Sequence, residues 1–250
     1  NADATLKLSK RWSTSLLVHY ENETKAHDGN DDGFVDIPQV EQYNVWNRWA
    51  YMGDHYVFQA GIKALSETRT SGQVNHGGTM HSGDLYKVGI DTERYEFFTK
   101  NAYIFNKEKN TNLALILSTT LHNQDATYGR KLYNVDQTNV YASLMFETEF
   151  NPQNSFSAGL SFNYDAYDQH YRLENTTDNP LKAFEKEAVP GAYVQYTLNL
   201  NDKWMVMAGL RGDYSNEHGF FVTPRAHLKY NPNEYVNFRL SAGKGYRTNH

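Results

Sequence analysis

Hydrophobic and polar residues alternate with a period of two along most of this 250-residue chain, and helical periodicity is almost absent. The alternation is clearest in the stretch 203–215. Its even positions include Trp204, Val206, Ala208, Leu210 and Tyr214. Its odd positions include Lys203, Gly209, Arg211 and Asp213. This pattern predicts strands with one apolar and one polar face.

The pattern predicts twelve strands along the whole chain. They span 3–10, 13–21, 39–52, 55–67, 91–106, 111–122, 136–150, 155–168, 189–200, 203–215, 221–230 and 236–248. The polar faces carry many charges, and an unpaired charge is too costly to bury in a small core. The charged face is therefore expected to be wet. In 155–168 this assigns Leu160 to the apolar face and Ser161 to the wet one.

The connections between the predicted strands fall into two kinds. Short polar links lie at 53–54, 107–110, 151–154, 201–202 and 231–234. The links between them are mostly long, at 22–38, 68–90, 123–135 and 169–188, with 216–220 as a short exception. Alternating short and long connections are typical of outer-membrane barrels. The sequence therefore predicts an all-β, antiparallel up-and-down transmembrane β-barrel.

Composition narrows the class of protein further. The mean hydropathy is −0.74, and no apolar run approaches the roughly 20 residues that a membrane helix needs. A barrel strand, in contrast, needs an apolar side chain only at every second position. The net charge of −5 and the absence of a Lys/Arg-rich run argue against nucleic acid as a partner. With no cysteine, Cys-based metal sites are excluded.

The last 65 residues of the chain resemble a known family. Glu187-Ala188-Val189-Pro190-Gly191-Ala192-Tyr193 leads into a strand, and the further motifs are Gly209-Leu210-Arg211-Gly212-Asp213-Tyr214, Thr223-Pro224-Arg225, Tyr230-Asn231-Pro232 and Arg239-Leu240-Ser241-Ala242-Gly243-Lys244-Gly245-Tyr246-Arg247. Their order resembles the central barrel of TonB-dependent outer-membrane receptors, especially those of Bacteroidetes. That family often continues with Ala-Pro, where this chain has Thr248-Asn249, and the haem-receptor form of the motif is not met. Haem is therefore not favoured as the cargo.

The resemblance implies a 22-stranded barrel closed by a globular plug domain. Residues 1–250 would then be a partial barrel domain, with the plug and the C-terminal strands absent. The implied function is TonB-dependent active import of a scarce solute, such as an iron-siderophore or a vitamin, across the bacterial outer membrane. The implied partners are TonB, the protein's own plug, the solute and outer-membrane lipid. The resemblance implies no required cofactor and no enzymatic activity.

Two other classes of barrel stay open at this point. Outer-membrane phospholipases have about this length and about twelve strands, and they use a Ser-His pair on the lipid face. No such pair is evident on adjacent strands, so no catalytic residue is assigned. A passive porin or autotransporter translocator is the other alternative, although neither explains the Arg-rich strand motif.

Five charged residues are the candidates for the wet, lumen-facing wall. They are Arg211, Asp213, Arg225, Arg239 and Arg247. In the receptor interpretation they contact the plug and line the solute path. In the plainer interpretation they pair with one another within the wall.

The loop 28–36 is the best candidate for a metal site. Asp28, Asn30, Asp32 and Asp36 occupy positions 1, 3, 5 and 9 of an EF-hand-type loop, with Gly33 at position 6. Position 12 is Gln39, which cannot supply the bidentate carboxylate. The alternatives are a bound Ca²⁺ and a simple Asx/Gly turn.

Two smaller groups complete the candidates. His76, Met80 and His81 lie in a Gly-rich link and are either transition-metal ligands or incidental residues of a loop. Several aromatic residues lie near predicted strand ends close to short links, where interfacial anchoring is favoured over ligand stacking. These are Trp46, Trp49, Tyr56, Trp204, Tyr230 and Tyr235.

Overall fold

The computed structural model of the chain describes residues 1–74, 85–173, 180–201 and 203–246. These residues form one sheet of twelve strands, each paired antiparallel with its neighbours in sequence. The strands are β1 (Ala2–Lys7), β2 (Trp12–Glu23), β3 (Gln39–Met52), β4 (Tyr56–Gly72), β5 (Lys87–Asn106), β6 (Thr111–Tyr128), β7 (Lys131–Asn151), β8 (Asn154–Arg172), β9 (Leu181–Leu200), β10 (Trp204–Ser215), β11 (Gly219–Asn233) and β12 (Val236–Gly243). The described residues contain no helix long and apolar enough to cross a membrane.

The prediction of twelve antiparallel up-and-down strands is confirmed. The sheet order runs from β1 to β12 without a crossover, and the bounds of β3 match the predicted 39–52. Within the described residues β1 pairs with β2 alone and β12 with β11 alone, so this sheet is an arc of a barrel wall. We call the end with the links 53–55, 107–110, 152–153, 201–203 and 234–235 the lower end, and the opposite end the upper end.

The prediction of long upper links was wrong for part of the chain. The expected link 123–135 shrinks to 129–130 between β6 and β7, and the expected link 169–188 shrinks to 173–180. The residues between are strand, and Asn123, for example, pairs with Asp136. Above a membrane both faces of a strand meet water, so the alternation of polarity fades while the backbone hydrogen bonds continue. The sequence pattern therefore marks only the part of each strand whose two faces differ.

Strand pairing defines two faces. The outward face contains Leu210 of β10, with Val194 and Pro224 beside it on the neighbouring strands. The inner face contains Asp213, which is only 2% exposed, whereas Leu210 is 51% exposed. The alternate burial along the strands indicates that the sheet curves around the inner face. The predicted assignment of apolar and charged positions to opposite faces is confirmed in β10.

The outward face carries an uncharged band, which is clearest in β7 and β8. In β8 the outward positions from Phe156 to Ala166 are uncharged, and Asp168 follows at the upper end. In β7 the band ends in the same way at Asp136, which pairs with Asp168. A tilted strand stretch of this length spans roughly 25 Å, the height of the apolar band of outer-membrane barrels.

Aromatic side chains border this band near the lower end. The rings of Trp204 and Tyr230 stack with centroids 4.0 Å apart, and those of Trp12 and Tyr51 lie 5.1 Å apart. All four are outward, as an interfacial belt requires. The predicted belt role was wrong for Trp46. Even-numbered positions of β3 face inward, so the Trp46 side chain lies on the inner face. Its ring centroid is 5.3 Å from the guanidinium carbon of Arg48.

Candidate functional site

A buried ion pair lies on the inner face of β10. The Arg211 guanidinium donates two hydrogen bonds to Asp213, from Nε to Oδ2 at 2.7 Å and from Nη2 to Oδ1 at 2.5 Å. The two residues are two positions apart in one strand, so their side chains point to the same face. The side chain of Asp213 is 1% exposed and that of Arg211 is 40% exposed. The pair therefore holds a carboxylate inside the wall and leaves part of a cation on its surface.

The arginine also bridges to a strand that is not its neighbour. Nη2 of Arg211 donates to Oγ of Ser161 in β8 at 2.7 Å, across the intervening strand β9. The residue of β9 at this height is Gly191, which pairs with both Asp213 and Ser161. Since glycine has no side chain, the arginine passes over it. Three strands are thereby joined by side chains as well as by their backbones.

A second acidic residue, Glu187, is buried two inner rows above this pair. Oγ of Ser215 donates to Oε1 of Glu187 at 2.5 Å, and these residues are 1% and 8% exposed. Oγ of Ser215 also accepts hydrogen bonds from the backbone N–H groups of residues 217 and 218, at 3.1 Å each. The sequence analysis did not single out this pair, because 187 fell within an expected link. Position 187 is odd, like Val189 and Gly191, and this parity was the available signal that Glu187 lies on the inner face.

Of the remaining predicted wall residues, Arg225 and Arg239 lie on the inner face but stand apart from the ion pair. Arg225 donates to Oε1 of Gln195 at 2.8 Å, and Arg239 donates to Oδ1 of Asn237 at 2.9 Å. Arg247 lies outside the described residues. The four described candidates thus divide into one joined pair and two separate arginines. Of the two interpretations, pairing within the wall holds for Arg211 and Asp213.

The glycine-rich motif at the end of β12 returns to the same region. The Tyr246 ring stacks on Phe221 of β11, with centroids 4.1 Å apart and an interplanar angle of 11°. Phe221 in turn pairs directly with Asp213. Residues from the two ends of the recognised motif therefore meet around one buried carboxylate.

Charges elsewhere on the inner face are also paired. In the middle of the sheet Glu96 accepts Nε of Arg94 at 2.6 Å and lies 3.7 Å from Nζ of Lys63. Near the upper end Glu67 accepts Nε of Arg69 at 2.6 Å. Several charges of the wet face are therefore neutralised by a partner on the same face.

A cavity of about 430 Å³ opens at the upper end beside the buried acids. Its lining includes Tyr167, Glu185, Glu187, Glu217 and His218. It joins the inner wall to the short turn between β10 and β11.

The loop 28–36 is folded by its own carboxylates. Asp28 accepts the backbone N–H of Asp32 at 3.1 Å and that of Gly33 at 2.8 Å. Asp36 accepts the N–H of Gly29 at 2.7 Å, and Gly33 has a positive φ of 83°. This is the Asx/Gly turn of the plainer interpretation.

Metal ligation stays a prediction for both candidate regions. Within the described ranges no three His, Cys, Asp or Glu side chains form a group that could hold a metal ion. His76 and His81 lie outside the described residues.

The lipid-facing Ser-His pair of a barrel phospholipase has no counterpart around His170. This histidine is the outward one among the strand histidines that the structure describes, and its neighbours on the adjacent strands are Asn134 and Lys182.

The fold and the wall together define a transmembrane β-barrel segment with an uncharged outer belt and a paired, charged interior. The family model for the TonB dependent receptor-like β-barrel matches residues 2–249. The chain therefore belongs to the TonB-dependent receptor β-barrel family. A search among curated proteins found no match.

Solved structures share this fold at low sequence identity. The alcaligin outer-membrane receptor FauA from Bordetella pertussis is 15% identical, with a TM-score of 0.69 over 96% of this chain and 39% of that one. The siderophore receptor PirA from Pseudomonas aeruginosa is 11% identical, with a TM-score of 0.65 over 96% and 37%. A variant of the ferric enterobactin receptor PfeA from Pseudomonas aeruginosa is 9% identical, with a TM-score of 0.69 over 95% and 39%. The chain thus spans less than half the length of these receptors.

Proposed function

We propose that this chain is part of the barrel wall of a receptor that imports an iron-siderophore, or a similar scarce chelate or vitamin, across the bacterial outer membrane. The observation that carries the proposal is the contrast between the two faces over the matched region 2–249. One face has a charge-free band of membrane height, and the other holds the buried Arg211–Asp213 pair. A wall of this kind suits a wide, polar lumen.

The import step needs parts that lie beyond this chain. We infer that a plug domain fills the lumen against the inner face and that TonB supplies the energy. The solute class is suggested by the proteins with the same fold, which are receptors for alcaligin, ferric enterobactin and siderophores. The order of the motifs from Gly209 to Arg247 supports a receptor of the type found in Bacteroidetes.

The test is uptake by cells that express the full-length protein. Radioactive iron would be supplied as a panel of ferric siderophores, with cobalamin and haem assayed in parallel. We expect saturable uptake of one ligand class, abolished when tonB is deleted. Uptake that is unchanged without TonB would support a passive porin and overturn the proposal.

A further inference from the structure

A strip of basic side chains lies on the lower half of the inner face, on β11 and β12. It consists of Arg225, His227 and Lys229, which are consecutive inner residues of β11, and of Arg239 on β12. Arg225 and Arg239 are exposed, and Lys229 is half-buried. We call these four residues the basic strip.

The basic strip has only neutral hydrogen-bond partners among the described residues. Arg225 donates to the amide oxygen of Gln195, and Arg239 donates to another amide. Lys229 is the direct cross-strand partner of Arg239, and like charges in this arrangement repel each other. Within the described ranges no ion pair includes a residue of the strip. In this respect the strip differs from Arg211, whose charge is met by a carboxylate.

The surrounding wall supplies no carboxylate to the strip. The inner positions of β9 and β10 below Arg211, and the described inner positions of β11 and β12, contain no Asp or Glu. Asp213 lies higher and is already bound by Arg211. Glu147, in the same row as Arg225, is four strands away, a distance of about 19 Å between backbones. The strip is therefore a positive surface that an anionic partner would stabilise.

The spacing within the strip indicates the size of this partner. Arg225 and Lys229 are four residues apart in one strand, so their backbones are separated by about 13 Å along β11. A single carboxylate or phosphate group cannot contact both side chains at once. The partner therefore needs at least two anionic groups some distance apart, as two Asp or Glu side chains of one peptide segment provide.

A peptide segment fits the strip better than an anionic solute does. A solute enters past the upper part of the inner face, where β8 and β9 carry Asp165, Glu185 and Glu187. The described inner positions of these two strands contain no Lys or Arg, so this region repels anions. A segment of the same protein is held near the wall by its own chain. The receptors that share this fold have more than half of their length outside the matched part, which is ample for such a segment.

We propose that the basic strip binds an acidic segment of the same protein, which lies inside the lumen and outside residues 1–250. The segment carries at least two Asp or Glu side chains, and Arg225 and Lys229 provide the two principal contacts. The inference rests on the proposed function and deepens it, because it names the strands and the charge by which the plug is held to this part of the wall.

The first experiment identifies the partner of Lys229 in the wild-type full-length receptor, folded in detergent without solute. A water-soluble carbodiimide joins a lysine to a carboxylate in direct contact, and mass spectrometry of the peptides identifies both residues. We expect Lys229 to be joined to an Asp or Glu of the plug. Lys229→Arg keeps the charge and should lose this cross-link. No cross-link at Lys229, or one to another barrel strand, would overturn the proposal.

The second experiment reverses the charge of the strip with Arg225→Glu and Lys229→Glu together. The matched control is Lys107→Glu with Lys109→Glu, the same change of charge in the lower link 107–110. In planar bilayers we expect the strip variant to raise the fraction of open channels about tenfold, because two attractions become two repulsions. The control should stay closed like the wild type. Equal conductance of the two variants would contradict the proposal.

Two further outcomes separate this proposal from its neighbours. Heat-modifiable gel mobility verifies that the barrel is folded, and glutamine replaces glutamate in the strip variant if the latter does not fold. If charge reversal weakens binding of a ferric catecholate and leaves the conductance unchanged, the strip is a solute site and the proposal fails. Failure of TonB-dependent uptake with the Lys229 cross-link intact would count against the proposed function alone.

Discussion

The carboxylate of Asp213 occupies the space that a side chain at Gly191 would need. A Cβ built at position 191 lies 2.0 Å from Oδ1 of Asp213 and 2.8 Å from Nη2 of Arg211. The absence of one side chain in β9 thus permits the buried ion pair in β10 and the hydrogen bond from Arg211 to Ser161. Because Gly191 has no Cβ, side-chain contacts can connect β8 and β10 across β9.

Gly191→Ala should therefore destabilise the barrel. The buried carboxylate has no free direction in which to move, so we expect a loss of about 1–3 kcal/mol, as is typical of overpacked sites. Gly209→Ala is the matched control. Its Cβ would meet Nε of Arg225 at 3.1 Å, and that side chain can move toward the open inner face. Urea unfolding of the refolded protein in lipid measures the free energy of unfolding of both variants. Equal losses of stability would contradict this account.

Arg211→Ala should cost about 3 kcal/mol, because it leaves the Asp213 carboxylate buried without its cation. Asp213→Ala alone should also be costly, since it removes the bidentate partner of the arginine. The double variant should lose clearly less than the sum of the two single changes, because the unpaired charge is then gone. Arg239→Ala, whose partner is the amide of Asn237, serves as the control and should cost little. Additive losses in the double-mutant cycle would exclude coupling.

The two faces make a residue-by-residue prediction in β8. Leu160 is outward and 58% exposed, so Leu160→Arg should cost roughly 2–4 kcal/mol near the bilayer midplane. Ser161 is the adjacent residue that the sequence assigns to the wet face, but its hydroxyl already accepts a hydrogen bond from Arg211. Ser157 is the better control, because it is on the inner face beside Glu147, where a new arginine gains a carboxylate. A larger loss for Ser157→Arg than for Leu160→Arg in lipid would mean that the sheet faces the other way.

The loop 28–36 should bind Ca²⁺ weakly, with a Kd of about 10⁻⁴–10⁻³ M, as in extracellular modules. Its turn already orders the Asp28 and Asp36 carboxylates through backbone hydrogen bonds, but no three carboxylates converge in the described residues, and Gln39 supplies none at position 12. Isothermal titration of the full-length protein should show binding that Asp32→Ala removes. Asp31→Asn is the matched control and should keep the binding. It removes one negative charge from the same loop, and asparagine tolerates the φ of 56° at this position. Identical titrations for wild type and Asp32→Ala would exclude the site.

The sequence was sufficient for the sheet and for its two faces, because inside a membrane the two sides of a strand meet opposite solvents. The sequence was insufficient above the membrane, where both sides of a strand meet water. Asn123, Asn134 and their neighbours look like loop because both faces are polar, yet they are strand. Similarly, the charges Arg211 and Asp213 could be assigned to the wet face from parity alone. Their contact with Ser161 depends on register and on Gly191, which alternation does not determine.

The continuation of β6 and β7 up to the two-residue link 129–130 has a consequence for how the mouth moves. Above the uncharged band these strands keep their ladder of backbone hydrogen bonds, with Ala126 fully buried between Ile90 and Tyr133. Amide protons there should exchange with solvent as slowly as those within the bilayer, whereas those of ordinary surface loops exchange quickly. Under the proposed function, this side of the entrance is a fixed rim. A solute approaching it would meet side chains already in place, and any closing motion would come from segments elsewhere around the mouth.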